Sequence, residues 1–425
     1  MNRGHAGKEQ ASQFIRQRSA LGPKSSEPIP AVFVKNRLGH PILYRKRLTR
    51  IETARAGDLV AVYAENDREP FGYGIYNPRS EMSVRVLWNT PQLPDDAAWK
   101  EKLRTAVSLR RDILKLDDCS NAWRVIHSES DAMSGLMVDR FGDVLSAEVF
   151  GLGMYQRAEV LMPMLAELMG TKHWIVTTSP QFLSQEGCDP PPLQSEGCPT
   201  HVVIQEHGTR FRVKFEGGHK TGFFCDQRDN RKKLAEFCAG KSVLDLCCYT
   251  GGFSVQAKTL GKADEVIGVD LDEVPLEVAK ENANLNQARC RFVQADAFSY
   301  MREMIRNGRK FDVVVLDPPK LIRSRAEIEE GTRKHFAMNR LAMRLVKPGG
   351  LLLSCSCAGL LPESEFMNLL IGASRATGDD LDAVPGAAKP LTLQIIAKTG
   401  AAPDHPVISS CLETEYFKAV WMIVN

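Results

Sequence analysis

Near its carboxyl end the chain reads "LLLSCSCAGLL", residues 351–361, an apolar run that closes on two cysteines one serine apart. A strand ending on a thiol presents it at the edge of a sheet, and a thiolate is a nucleophile able to form covalent adducts. Earlier, three apolar runs each close on an acid: Asp245 in "SVLDLCC", Asp270 in "EVIGVD" and Asp296 in "CRFVQAD". A fourth acid, Asp317, opens "DPPK" directly after "FDVVVL". An acid at the end of a second strand suits ribose hydroxyls, and one after a third can meet an adenine amino group. Each aspartate alone reads equally well as a helix N-cap. In series they describe an adenosine site.

The turn "CCYTGGFS" brings small residues where backbone must approach a ligand. Its candidate contacts are Cys247, Tyr249, Thr250 and Gly251, with Ala297 beside Asp296. The turn lacks the Gly-x-Gly-x-x-Gly pattern of a pyrophosphate site. S-adenosyl-L-methionine, which carries no phosphate, therefore fits better than NAD.

The elements that must position these groups follow from pattern. From about residue 219, strand-like runs alternate with helices five times, and "LTLQIIAK" and "EYFKAVWMIV" add two more strands. Nearly continuous apolar strands between helices imply a parallel sheet covered on both faces. Such sheets bind ligands at the carboxyl ends of their strands, which puts the acids and the cysteines on one edge. Residues 31 to about 88 hold short β-rich runs separated by turn residues, suited to a small barrel or sandwich. Residues 95–116 and 155–169 read as helices within a middle α+β section extending to Phe215.

The expected domains are a polar, mobile tail over 1–30, with a short helix near Phe14, a β domain over 31–92, an α+β domain over 93–215 and an α/β domain over 216–425. The chain is 425 residues long with a net charge of +3, so no polyanionic partner follows from total charge. Local charge is more telling. Lys35, Arg37, Arg45, Lys46, Arg47 and Arg50 occur with no acid between them, a pattern of solvated surface or of a phosphate-tracking face. Eleven cysteines without any Cys-x-x-Cys argue against a disulfide framework and a metal site, and for a reducing, cytoplasmic setting. Cys238, Cys290 and Cys248 read as apolar filler. No apolar run reaches the roughly 18 residues of a membrane span.

Residues 31–424 resemble the RlmI family of 23S ribosomal RNA cytosine-C5 methyltransferases. The resemblance rests on "GGHKTGFFCDQRDNR", "CCYTGGF", "LDPPK", "SCSCAGL", "DHPV" and "EYFKA", and on "SESDAMSGLMVDRFG" in the middle section. It implies a Rossmann-like class I methyltransferase domain preceded by a PUA-like β domain and a central α+β domain. The diproline after strand four would stiffen a loop facing the target base. The family's nucleophile falls on Cys357, with Cys355 in place of a bulky apolar residue. Phe224, Gln227 and Arg228 are implied at the cofactor, Lys320 at the RNA, and a homodimer as the assembly. Three departures stand out: Ala358 where the family has serine, "HPILYRKRL" where it has "HPWVFSGAV", and Asp317 where two-cysteine enzymes carry a second thiol.

The chemistry implied is methylation of carbon 5 of a cytosine in 23S ribosomal RNA, with Cys357 as nucleophile and Asp317 holding the amino edge of the base. Two alternatives share the scaffold: a methyltransferase for guanine N7 or another base, which needs no thiol, and an inactive RNA-binding assembly factor. The target nucleotide, the choice between bare RNA and an assembled subunit, and the base that removes the carbon-5 proton have no signature in the sequence.

Overall fold

Alternating apolar residues in the first β-rich stretch produce six strands. They are β1 (Ala31–Val34), β2 (Ile42–Leu43), β3 (Leu48–Glu52), β4 (Leu59–Ala64), β5 (Gly72–Tyr76) and β6 (Val84–Trp88), in the order β2-β6-β5-β4-β1-β3. Val32, Val34, Val60, Val62, Val84 and Val86 supply the core on one face. In this computed structural model, residues 15–22, 28–215, 222–376 and 389–425 are described. Strand β3 is not legible in the sequence because four of its five side chains are exposed; backbone pairing with β1 holds it. The basic triplet Arg45–Arg47 forms a 3-10 turn between β2 and β3 rather than extending a strand.

The middle section contains α1 (Asp96–Ser108), β7 (Ala122–His127), β8 (Leu136–Phe141), β9 (Val144–Val149), α2 (Leu152–Tyr155), α3 (Ala158–Met169), β10 (His173–Thr178), α4 (Phe182–Glu186) and β11 (Leu193–Gln194). The Asp95 carboxylate accepts the Ala98 N–H at 2.9 Å and starts α1. The expected helix over 95–116 ends early, because a π-helical turn, Leu109–Ile113, follows Ser108. That turn directs Arg110 inward, where it binds Asp131 and donates to the Asp404 carbonyl at 2.7 Å. Trp99, Leu103, Trp123 and Leu161 pack in a core that also includes Ile75 and Leu87 of the first sheet.

After the hairpin β12 (His201–Glu206) and β13 (Thr209–Lys214) comes the α/β alternation. Its elements are α5 (Arg228–Ala235), β14 (Ser242–Leu246), α6 (Gly252–Thr259), β15 (Glu265–Asp270), α7 (Glu273–Leu285), β16 (Arg291–Gln294), α8 (Ala297–Arg306), β17 (Phe311–Leu316), α9 (Ile328–Arg344), β18 (Val346–Ser356), α10 (Glu363–Arg375), β19 (Leu393–Thr399) and β20 (Lys418–Val424). The sheet order is β16-β15-β14-β17-β18-β20-β19, with β20 antiparallel to both neighbours. The order reverses between β14 and β17, the switch point where such sheets take ligands.

By packing, the chain divides into two units: residues 1–204 with 213–225 and 403–414, and residues 205–212 with 226–402 and 415–425. This corrects two expected boundaries. Residues 403–414, placed by pattern in the α/β domain, belong to the first unit, anchored by the buried Asp404, which accepts the Arg124 N–H at 2.8 Å. Residues 205–212 belong to the second, where Glu206 is buried. The tail reading also fails for residues 15–22. Leu21 is only 1% exposed, and Arg18 pairs with Asp58 at 2.8 Å. The helix expected near Phe14 and the "GGHKT" segment lie outside the described residues.

Candidate active site

Strand β14 delivers the first part of the site. Asp245 lies one residue inside the strand and is fully enclosed. Its Oδ2 accepts from the Ser254 N–H at 3.0 Å and the Ser254 hydroxyl at 2.6 Å, tying the strand to α6. Its Oδ1 has no hydrogen-bond partner among the described residues. Burial, aided by the charges of Asp317 and Asp270, pushes this carboxyl up to about 7. Beyond the strand, Cys247 (φ 61°) and Tyr249 (φ 49°) adopt left-handed backbone, which non-glycine residues hold only where surroundings force it. Gly251 (φ 77°) completes the turn, and a Cβ there would lie 3.1 Å from Ala279 and 3.2 Å from Phe292.

The forced turn has a purpose in geometry. It aims the Tyr249 N–H at Asp270 Oδ2, 2.8 Å away, while the Asp272 N–H takes Oδ1 at 3.1 Å. Asp270 is thereby fixed at the end of β15. Asp296 is exposed and caps α8, accepting from Ser299 N–H at 2.9 Å, so its N-cap role is real. Thr250 is buried, and its carbonyl accepts from Asn282 at 3.0 Å. Ala297 is half-buried against the sheet core. Burial first, then the charges of Asp270, Asp317, Asp245 and Asp296, hold the Cys247 thiol far above the usual thiol range. Acids from four strand ends thus act on one thiol.

Strand β17 delivers Asp317, half-buried at its carboxyl end. Gln227 donates to Asp317 Oδ2 at 2.9 Å and, more loosely, to the Cys355 sulfur at 3.6 Å. Asn230 in turn donates to Gln227 Oε1 at 2.7 Å, fixing the amide's orientation. Arg228, implied at the cofactor, is 1% exposed and pairs with Asp229 at 3.1 Å. Phe224 is half-buried and belongs to the first unit.

The "SCSC" sequence is explained by strand alternation. Ser354 and Ser356 face α9, where they meet Asn339 at 2.5 Å and His335 at 3.3 Å. Cys355 faces the opposite way, wholly buried opposite Ala419, and burial with Asp317 beside it keeps its thiol neutral. Cys357 lies just past the end of β18, half-buried, against the same core as Cys355. Of the two cysteines, only the second reaches the open edge. Cys238 and Cys248 are buried as expected, while Cys290 is partly exposed. None of the eleven cysteines forms a disulfide.

Lys418 was missed at the level of sequence, although it lies in the quoted "EYFKA". It opens β20 opposite Ser356 and is buried, with its Nζ donating to the Ala358 and Leu361 carbonyls at 2.6 and 2.7 Å. Only strand pairing reveals its position beside the cysteine turn.

In the first unit, all of the expected RNA contacts there are exposed, but unequally available. Arg37 pairs with Asp67 at 2.9 Å and Arg45 with Glu81 at 3.6 Å. Among the described residues Lys35, Lys46 and Arg47 have no ion pair, and Lys320 is exposed on the second unit. His40, Cys411 and Glu413 also gather donor atoms within 4.8 Å of one another. His40 and Cys411 each bond Glu413 at 3.5 Å, which accounts for their proximity without an ion.

A reversing seven-stranded sheet with carboxylates at successive strand ends defines a methyltransferase fold of the S-adenosylmethionine-dependent class. The family model for S-adenosylmethionine-dependent methyltransferases matches residues 141–368, and that for PUA-like domains matches 34–89. Ribosomal RNA large subunit methyltransferase I of Aliivibrio fischeri is 33% identical over 386 residues, 89% of this chain and 94% of that protein. Its namesake in Vibrio cholerae is 32% identical over 388 residues, with the same shares covered. A crystal structure of a methyltransferase complexed with S-adenosylhomocysteine superposes with a TM-score of 0.75 at 18% identity, covering 92% of this chain and 99% of that one. A methyltransferase from Streptococcus mutans gives 0.74 at 17%, covering 93% and 100%. The chain belongs to the S-adenosylmethionine-dependent methyltransferases, in the family of ribosomal RNA large subunit methyltransferase I.

The residues present fit that cofactor. A ligand with a sulfonium and an ammonium suits a turn at which Asp270, Asp317, Asp245 and Asp296 all disfavour a thiolate at Cys247. Asp270 stands at the end of β15, where acids of such sheets meet ribose hydroxyls. No described helix is long and apolar enough to cross a membrane.

Proposed function

We propose that this protein methylates carbon 5 of a cytosine in large-subunit (23S) ribosomal RNA through a covalent adduct with Cys357. The relatives' names support the RNA, and the position of Cys357 supports the chemistry. It stands half-buried at the carboxyl end of β18, the strand beside that of Asp317. Cytosine carbon 5 is too poor a nucleophile to accept a methyl group unaided. Addition of the Cys357 thiolate forms a sulfur bond to carbon 6 and moves the ring's π electrons toward carbon 5. When bound, S-adenosylmethionine supplies the electrophilic methyl group. Loss of the carbon-5 proton then breaks the carbon–sulfur bond and returns the thiolate.

Asp317 accepts from the amino edge of the base while Gln227 holds its other oxygen in place. A stacked base must be extruded to reach the thiol. Lys35, Lys46 and Arg47, with Arg37, Arg45 and Lys320, would follow the phosphates. Asp270 and Asp296 would hold the adenosine beside Asp245 and the 247–251 turn, while Gln227 and Arg228 would face the methionine end of the cofactor. We place the protein in the cytoplasm as a homodimer, which light scattering would test. The decisive experiment is Cys357→Ala assayed on unmodified 23S RNA, with nucleosides weighed after digestion. 5-Methylcytosine should vanish; undiminished formation would reject the covalent role, and a methylated guanine would replace the base assignment.

A further inference from the structure

Lys418 is a buried cation in an unusual position. Its register opposite Ser356 places it at the end of β18, and its Nζ holds two carbonyls of the turn that follows Cys357, Ala358 at 2.6 Å and Leu361 at 2.7 Å. An ammonium has three N–H donors, so one remains for another acceptor. Among the described residues no carboxylate lies within 4.0 Å of it. Burying a cation without a counter-charge is strongly unfavourable, so an anion is called for.

The surrounding groups name that anion. Burial depresses the lysine's own basicity, and of the neighbours that counteract this the Cys357 sulfur has the largest effect, ahead of Glu415 and Glu363; Lys320 opposes them. His335 faces Lys418 from α9, but burial pushes its imidazole down to about 4, so it is neutral and offers no competing charge. Cys355, two residues earlier, is wholly buried, and burial, then the charge of Asp317, disfavours its thiolate.

We propose that Lys418 is the counter-ion of a Cys357 thiolate, a positioning residue that charges one sulfur of the "SCSC" pair and fixes the turn carrying it. The Cys357 proton leaves to solvent, and the ammonium stays protonated beside the sulfur. This rests on Cys357 as the nucleophile, yet its test needs no RNA.

The whole chain would be alkylated with iodoacetamide across a pH series, and modification of Cys357 followed by peptide mass spectrometry. One unit in a thiol's pKa is tenfold in thiolate. Lys418→Met should therefore lower the Cys357 rate at neutral pH by about tenfold or more and move its profile to higher pH. Lys418→Arg should keep the profile, because the charge is retained. Bound S-adenosylhomocysteine and the thermal midpoint report whether the fold persists. Where the methionine variant fails to fold, Lys418→Gln, which keeps a donor and removes the charge, serves in its place. A folded, uncharged variant with the wild-type profile would overturn the proposal. An active Cys357→Ala enzyme would instead refute the methylation mechanism and leave the alkylation result standing.

Discussion

The Gln227 amide donates to Asp317 Oδ2 at 2.9 Å and is itself held by Asn230 at 2.7 Å, so the acid after β17 is fixed from α5 and the turn before it. A glutamine in the "DQRDN" run thereby orients the loop expected to face the base. Gln227→Ala would remove one donor from Asp317 Oδ2 and one acceptor from the Asn230 amide. Steady-state assays should show methyl transfer reduced by about tenfold or more, with about 1–3 kcal/mol lost in urea denaturation. Wild-type turnover would deny the glutamine any role in positioning.

The two cysteines of "SCSC" should separate cleanly. Cys355 fills a core against Ala419 and Trp421, whereas Cys357 stands on the edge. Cys355→Ala should retain methylation and cost about 1 kcal/mol of stability, the scale of a small lost buried group. Cys357→Ala should abolish the product. Equal losses in both variants, measured on the same RNA, would contradict the assignment.

Asp245 predicts a pH dependence. Its carboxyl is raised in the folded state to about 7, so between its ordinary value of 3.8 and about 7 the folded protein binds a proton that the unfolded chain does not. This contribution to stability is fully present below the unfolded value and declines as pH climbs to about 7. Asp245→Asn removes the titration. In the absence of cofactor, the variant's thermal midpoint should gain on the wild type as pH rises from 4 to 8, by an amount corresponding to roughly a few kcal/mol. Parallel curves would mean that Asp245 is not elevated. The same variant should bind S-adenosylhomocysteine more loosely.

Glu206, at the end of β12, binds Arg231 through both oxygens at 2.8 and 2.7 Å and accepts from Gln256 at 2.7 Å. All three groups are buried. Glu206→Gln takes a buried negative charge away from Arg231, and denaturant titration should show a loss of about 3 kcal/mol or more. A loss below about 1 kcal/mol would mean that water reaches the network.

The surface of the first unit can be tested apart from catalysis. Lys46→Ala with Arg47→Ala removes two exposed charges that have no ion pair among the described residues. RNA affinity should fall, and the slope of log affinity against log salt should flatten by about 0.7–0.9 for each phosphate no longer neutralised. Cofactor affinity, read by calorimetry, should not change. An unaltered salt slope would move the RNA to another face.

Apolar patterning by itself determined the parallel sheet, its alternation with helices and the acids at the ends of β14 to β17, because strand period and burial are local properties of the chain. It also placed both cysteines at β18, and spacing alone could not separate them. That separation came from the sheet: β20 inserts antiparallel beside β18, burying Cys355 and bringing Lys418 next to Cys357 from 61 residues further along. The same holds for Gln227 on Asp317, for Asp404 within the first unit and for the left-handed backbone at Cys247 and Tyr249. Each depends on partners distant in sequence or on packing that overrides local preference, and these act only once the chain has folded.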